Sequence, residues 1–147
     1  MPVIRACSHC GKKNRIPVQN LVGSTRCGAC KSPLTPIAEP LAADAALFDE
    51  VVQNVQVPVL VDFWAEWCGP CRLAAPEVAR AAADMAGKAL VLKVDTEQNA
   101  ELAARFKVTG IPNFVVLSGG RVVTQQAGLV NHQQLEQWLR SAAPVSP

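Results

Sequence analysis

Three C-x-x-C pairs account for every cysteine of this 147-residue chain: Cys7 with Cys10, Cys27 with Cys30, and Cys68 with Cys71. The sequence shows neither the apolar stretch of roughly 7–15 residues that marks a secretory leader nor a run of about 18 apolar residues. We therefore expect a soluble cytoplasmic protein, where a reducing environment disfavours structural disulfides. Cysteines in such a chain indicate metal binding or redox chemistry.

The N-terminal part of the chain differs in charge from the rest. Residues 1–33 contain six basic residues and no acidic one, whereas the remainder contains eight basic and twelve acidic residues. The segment PLTPIAEPLAA at 33–43 carries three prolines, which break any periodic pattern and favour extended backbone. We predict a cysteine-rich module at 1–33, a linker at 34–43 that ends in a short strand, and a larger domain at 44–143.

The larger domain alternates helix and strand signals. Residues 57–64, VPVLVDFW, are almost all apolar and β-branched or aromatic, which is typical of a central strand buried on both faces. The sequence predicts, in order, helix 44–54, strand 57–64, helix 70–86, strand 89–94, helix 97–107, a hairpin of strands 114–117 and 121–126, and a last helix capped by Asn131. This order predicts an α/β fold with a central mixed β-sheet flanked by helices.

The pair at Cys68 and Cys71 falls where the first strand of this domain passes into a helix. A helix N-terminus offers unpaired backbone N–H groups and the positive end of the macrodipole, and both stabilise a thiolate. Gly69 allows a tight turn, and Pro70 suits the first helical turn, where its missing N–H costs nothing. The spacing predicts a reversible disulfide, with an inert or metal-binding pair as the alternative.

The segment VDFWAEWCGPC at 61–71 resembles the active site of the thioredoxin family. Further matches occur at the places in the strand and helix order where that family has them: Asp62, Trp64, Pro76, Ile111-Pro112 and Gly128. The resemblance covers roughly residues 40–142 and implies a thioredoxin fold with protein-disulfide reductase activity.

The resemblance also implies roles for individual residues. Cys68 is the expected nucleophile, Cys71 the resolving cysteine, and Asp62 the buried carboxylate that assists deprotonation of Cys71. A structural or exposed acid at the end of the strand is the alternative for Asp62. The resemblance implies a substrate groove formed by Trp67, Gly69, Pro70, Ile111, Pro112 and Gly128, with a cis bond before the second proline.

One position departs from the family pattern. Many thioredoxins pair the buried aspartate with a lysine on the neighbouring strand, and we align that lysine with Val91. Lys93, two residues further on, shares the same face of the strand because side chains alternate. The sequence leaves open whether Lys93 substitutes for the family lysine beside Asp62.

The remaining cysteines have the spacing of a structural zinc site, C-x2-C-x16-C-x2-C. We predict one zinc ion held by Cys7, Cys10, Cys27 and Cys30. Each pair would lie on a tight turn, with Gly11 and Gly28 supplying backbone freedom and His9 as a bystander. A segment of about 33 residues buries too little apolar surface to fold unaided, and zinc supplies the missing stability. Two labile disulfides or an iron–sulfur cluster are the alternatives.

The basic excess of residues 1–33 has two interpretations. Zinc with four thiolates carries a net negative charge, so the cationic side chains offset the cluster as a solvated surface. A surface for nucleic acid or an acidic partner is the alternative. No aromatic residue in 1–33 is available to stack on bases, which argues against nucleic acid.

A zinc module ahead of a WCGPC domain is similar to the bacterial thioredoxin-2 type. This resemblance implies disulfide-containing protein substrates and recycling by thioredoxin reductase, a flavoprotein that uses NADPH, with no membrane partner. An oxidant or isomerase is less consistent with Gly69 and Pro70 between the cysteines. The other alternative is a zinc-dependent redox sensor or binding module that uses the thioredoxin domain as a scaffold.

Overall fold

The computed structural model describes residues 2–142, so that Met1 and the predicted domain end at Ala143 lie outside the described residues. The N-terminal region forms two small antiparallel hairpins. The first pairs β1 (Val3–Ala6) with β2 (Lys13–Ile16), and the second pairs β3 (Thr25–Arg26) with β4 (Pro33–Leu34). A 3-10 helix at Val18–Asn20 lies between them.

The larger region is built on one five-stranded mixed sheet. Its strands are β5 (Leu41–Ala42), β6 (Val59–Trp64), β7 (Leu90–Asp95), β8 (Asn113–Ser118) and β9 (Arg121–Ala127), in the spatial order β5-β7-β6-β8-β9. The pairs β5–β7 and β6–β7 are parallel, whereas β6–β8 and β8–β9 are antiparallel. The predicted mixed sheet and the short strand at the end of the linker segment are both confirmed.

Helices cover both faces of this sheet. They are α1 (Ala45–Asn54), α2 (Gly69–Asp84), α3 (Ala100–Arg105) and α4 (His132–Ala142). Alternate residues of β6 point to opposite faces: Val61 packs in the cluster that contains α1 and α3 residues, and Leu60 in the cluster that contains α2 and α4 residues. Burial on both sides explains why the sequence of β6 is a nearly continuous apolar run.

The predicted start of one helix differs from the structure. Helix α3 begins at Ala100 and not at residue 97, because Asp95 holds a turn: its carboxylate accepts the N–H of Glu97 and its carbonyl accepts the N–H of Asn99. Helix α2 continues through Pro76 as one element, although that proline contributes no backbone N–H.

The cysteine-rich region and the sheet region share one apolar core. Val18 and Leu21 are fully buried and belong to the same hydrophobic cluster as Phe48 and Val51 of α1. The backbone N–H of Ile37 donates to the carbonyl of Leu21, which ties the two regions together along the chain. Within residues 2–142, no helix is both long enough and apolar enough to cross a membrane.

Candidate active site and metal centre

Cys68 is the N-cap of α2, and its sulfur occupies the place that a serine or aspartate oxygen usually takes. Its backbone is extended, and its Sγ accepts the backbone N–H of Cys71 at 3.1 Å. Pro70 lies in the first turn, where no hydrogen bond is lost. The two sulfurs are joined in a disulfide, as the spacing predicted.

The disulfide lies at the edge of an apolar surface. Cys68 and Cys71 are only 3% and 5% exposed, and Trp64 and Ile111 pack against them. The Sγ of Cys68 lies 3.6 Å from the carbonyl oxygen of Ile111. The peptide bond between Ile111 and Pro112 is cis, which confirms the prediction for this bond.

Gly128 is tied to the same segment from the end of β9. Its backbone N–H donates to the carbonyl of Pro112 at 2.8 Å, and its φ of 103° is strained for any residue with a side chain. A β-carbon added to Gly128 or to Gly69 would meet no other atom within 4 Å. Ile111 therefore lies beside Cys68, and Gly128 is joined to the adjacent Pro112.

Trp67 is the most exposed large apolar side chain near the disulfide, with 67% of its surface accessible. Its indole Nε1 donates to Oε1 of Glu97 at 2.7 Å. With Ile111 it lines a cavity of about 150 Å³. Sequence reasoning missed Glu97, although one signal was available: β6 and β7 are parallel, so the loops that follow them meet at one edge of the sheet.

Asp62 lies in the middle of β6 and is 2% exposed. Burial raises the pKa of its carboxyl to about 7, and the positive charge of Lys93 opposes that rise. Its Oδ1 has no hydrogen-bond partner among residues 2–142. An unpartnered buried oxygen that ionises near neutrality is suited to exchanging a proton.

The pairing register answers which lysine lies beside Asp62. In the parallel pair β6–β7, Asp62 lies opposite Lys93, whereas Val91 lies opposite Leu60 and is buried. The ammonium of Lys93 also lies 4.6 Å from the ring centroid of Trp64. Alternation along the strand places both positions on one face, and only the pairing register distinguishes them.

A cavity of about 340 Å³ borders the disulfide at Cys71. It gives solvent a route toward Cys71 and the strand that carries Asp62. The residues that line it are Trp64, Ala65, Glu66, Cys71, Arg72, Ala75 and Lys93.

The four N-terminal cysteines converge as predicted. Their sulfurs all lie within 4.8 Å of one another, with Cys7 to Cys30 at 3.7 Å and Cys10 to Cys27 at 3.6 Å. Sulfurs bound tetrahedrally at about 2.3 Å from a zinc ion are about 3.8 Å apart, so the observed spacing fits such an ion. The four cysteines could therefore hold a metal.

Matching turns carry the two pairs. The carbonyl of Cys7 accepts the N–H of Gly11, and the carbonyl of Cys27 accepts the N–H of Lys31. Backbone N–H groups also point at sulfur: those of Cys30 and then Ala29 lower the pKa of the Cys27 thiol to about 6. The second turn thus favours the thiolate of Cys27, and the thiolate is the form that binds metal.

The predicted role of Gly28 was wrong. Gly11 has a φ of 79°, but the equivalent left-handed position in the second turn belongs to Lys31, with a φ of 65°. Gly28 instead donates its N–H to Oδ1 of Asn14 at 2.9 Å. His9 is exposed, and its backbone N–H donates to Cys7 Sγ. The four cysteine sulfurs form the group that could hold a metal without the imidazole of His9.

The chain is similar to known proteins over most of its length. A family model described as Thioredoxin matches residues 39–141. Thioredoxin C-3 of Corynebacterium nephridii is 38% identical over 137 residues, which cover 93% of each protein. Thioredoxin 1 of Chlorobaculum tepidum is 40% identical over 93 residues, which cover 63% of this chain and 92% of that protein. Among solved structures, a mutant thioredoxin from Halobacterium salinarum NRC-1 has a TM-score of 0.68 at 32% identity and covers 75% of this chain and 96% of that one.

Proposed function

The chain belongs to the thioredoxin family of protein-disulfide reductases, and from this premise we propose that Cys68 is its nucleophile and Cys71 its resolving cysteine. The proposal is supported by the position of Cys68 as the cap of α2, where backbone N–H groups and the helix dipole stabilise a thiolate. It is also supported by the disulfide between the two residues, which is the product state of a completed reduction.

The proposed thiol–disulfide exchange takes two steps, in which one sulfur–sulfur bond forms for each one that breaks. The thiolate of Cys68 attacks one sulfur of a substrate disulfide, which forms a mixed disulfide and releases one substrate thiolate that takes a proton from solvent. Cys71 then loses its thiol proton and attacks Cys68 Sγ, which breaks the mixed disulfide and releases the second substrate thiolate. Two electrons pass to the substrate, and the Cys68–Cys71 disulfide remains.

Asp62 is the group we propose to accept the proton of Cys71. A carboxyl with a pKa of about 7 is present in both protonation states at neutral pH, so it can take up a proton and return it. Lys93, directly opposite in β7, keeps that pKa from rising further. The cavity lined by Cys71 and Lys93 provides solvent access for the exchange.

The substrate is proposed to dock as an extended segment along the apolar surface beside Cys68. Trp67, Ile111, Pro112 and Gly128 would form its contacts, with Gly69 and Pro70 forming the exposed start of α2. The indole of Trp67 is held by Glu97, so this exposed ring is oriented before a substrate arrives. The physiological partners are disulfide-containing proteins.

Zinc is proposed as the metal of the N-terminal cluster, bound by Cys7, Cys10, Cys27 and Cys30 as a structural ion. Four thiolates complete a tetrahedral shell and leave no open position for catalysis, so the ion supplies folding energy only. We further propose that the protein acts in the cytoplasm and is recycled by thioredoxin reductase with NADPH.

The observation that carries the proposal is the Cys68 sulfur at the N-terminus of α2. Reduction of insulin, coupled to NADPH oxidation by purified thioredoxin reductase, tests it. We expect turnover by the wild-type protein, none by Cys68→Ser, and a trapped mixed disulfide with Cys71→Ser. Equal turnover by wild type and Cys68→Ser would leave the redox-sensor or scaffold function.

A further inference from the structure

A second group of metal-ligating side chains lies between α2 and α4. Asp84 is the last residue of α2, His132 is the first residue of α4, and Glu136 follows one turn later. One ligand atom from each residue lies within 4.8 Å of the others. The Nδ1 of His132 is 2.8 Å from Glu136 Oε2 and 3.8 Å from Asp84 Oδ2.

We propose that Asp84, His132 and Glu136 bind a divalent first-row transition-metal ion. An imidazole nitrogen with two carboxylate oxygens is a donor set that such ions accept. Ligand atoms at about 2.0–2.2 Å from a metal are roughly 2.9–3.6 Å apart, and the two distances from His132 bracket that range. Small side-chain rotations are sufficient to close the ligand shell.

The arginine side chains beside the ligands leave lone pairs of the carboxylates available for a metal ion. The Nε of Arg80 donates to both oxygens of Asp84, at 3.1 and 3.0 Å, and Arg140 lies 3.8 Å from the Oε1 of Glu136. A carboxylate offers about four lone-pair positions, so one guanidinium contact does not exhaust it. In metal sites the ligating carboxylates are commonly hydrogen-bonded by such outer groups. The two arginines therefore orient the ligands.

The site is held by the packing of the two helices. Glu136 is 8% exposed, and its helix packs on α2 through Leu135 and Leu139 in the core cluster that also contains Val78. The Oε1 of Glu77 accepts the backbone N–H of His132 at 3.0 Å, which fixes the start of α4 against α2. Ligands set on packed helices lose little freedom on binding.

Charge at this position also favours a cation. The carboxylates of Asp84 and Glu136 face the guanidinium groups of Arg80 and Arg140, and Glu77 adds a third carboxylate at the backbone N–H of His132, so carboxylates outnumber guanidinium groups here by one. A bound dication would tie α4 to the end of the helix that begins at the redox cysteines. Its role would be to fix the C-terminal helix on the domain.

Manganese is the probe that separates this site from the cysteine cluster, because Mn²⁺ prefers oxygen and nitrogen ligands to thiolates. Mn²⁺ is titrated into the oxidised protein, with its own cluster metal bound, and paramagnetic broadening of backbone amide signals is followed. His132→Gln and Asp84→Asn remove one ligand each. His9→Gln is the matched control, since His9 is the other histidine of the chain.

We expect saturable broadening centred on Asp84, His132 and Glu136 in the wild type and in His9→Gln. His132→Gln and Asp84→Asn should each raise the dissociation constant at least about tenfold while insulin reduction is unchanged. The proposal is overturned by broadening centred elsewhere, by no saturation up to about 10 mM Mn²⁺, or by equal affinity in Asp84→Asn, whose exposed position makes it the variant that folds most safely.

Discussion

The two cysteine sites share the C-x-x-C spacing and use it in opposite ways. Cys68 and Cys71 lie within one helical turn and bond to each other. In the N-terminal cluster, sulfurs of different pairs come into contact, with Cys7 near Cys30 and Cys10 near Cys27. The same spacing thus gives a disulfide in one region and a four-sulfur shell in the other.

The backbone around each pair explains the difference. Cys68 precedes Gly-Pro and caps a helix, so the chain turns back and brings its own second cysteine under the first sulfur. Cys7 and Cys27 instead begin hairpin turns that reverse at Gly11 and Lys31. The sulfurs of each hairpin turn meet those of the other turn. The spacing determines which cysteines are close in the sequence, and the local backbone conformation determines which sulfurs come into contact.

Replacing one cysteine from each site is the strongest test of this difference. Cys68→Ser removes the proposed nucleophile, and we expect disulfide reduction to fall by on the order of a thousandfold or more. Cys10→Ser should leave the rate per folded molecule within about twofold but lower the metal content measured by mass spectrometry. A metal-depleted Cys10→Ser protein that had also lost reduction while folded would contradict the separation of roles.

Metal removal should act on stability rather than on the redox pair. Val18 and Leu21 of the cysteine-rich region are buried in the core that contains α1, so loss of the cluster exposes apolar surface of both regions. We expect chelation to lower the thermal midpoint by at least about 10 °C, measured by circular dichroism. The Cys68→Ser/Cys71→Ser double variant should show the same decrease, and a smaller decrease in that variant would mean that the two sites are coupled.

The buried carboxyl of Asp62 should make the free energy of unfolding decrease as the pH rises. The ordinary carboxyl pKa of 3.8 applies to the unfolded chain and the raised value of about 7 to the folded one, so only the folded state holds this proton between them. Wild-type stability therefore decreases from about pH 4 to pH 7, by up to about 4 kcal/mol. Asp62→Asn should abolish this decrease in urea unfolding series measured across that range.

Asp49→Asn is the control for this series, because Asp49 is exposed and pairs with Arg105 on the surface. Its stability profile should follow that of the wild type. A wild-type profile that is flat between pH 4 and 7, or one that falls equally in Asp62→Asn, would exclude the buried carboxyl as the origin.

The local features of the two sites were predictable from the sequence, whereas the pairing register of neighbouring strands was not. The strand ending at Trp64, the cap at Cys68 and the four convergent cysteines follow from patterns of a few residues. Which residue faces Asp62 depends on how β6 and β7 align, and alternation permits Val91 and Lys93 equally.

Contacts between residues far apart in the sequence could not be predicted from local sequence patterns either. Glu97 meets Trp67, and Asp84 meets His132, only because loops and helices from separate parts of the chain pack together. Nothing in the local sequence marks these residues. The start of α3 was misplaced for a related reason, since the carboxylate of Asp95 holds a turn where helix propensity alone favours a helix.

The smallest expected effect concerns the backbone of the two hairpin turns that carry the N-terminal cysteine cluster. Gly11 and Lys31 occupy equivalent left-handed positions, yet only glycine adopts that backbone without steric cost. Lys31→Gly should therefore stabilise the metal-bound protein by roughly 1 kcal/mol, and Gly11→Ala should destabilise it by a similar amount. Unfolding in guanidinium with metal present measures both. If Lys31→Gly is instead destabilising, the bond from Lys31 Nζ to the carbonyl of Gly28, at 3.2 Å, outweighs the backbone strain.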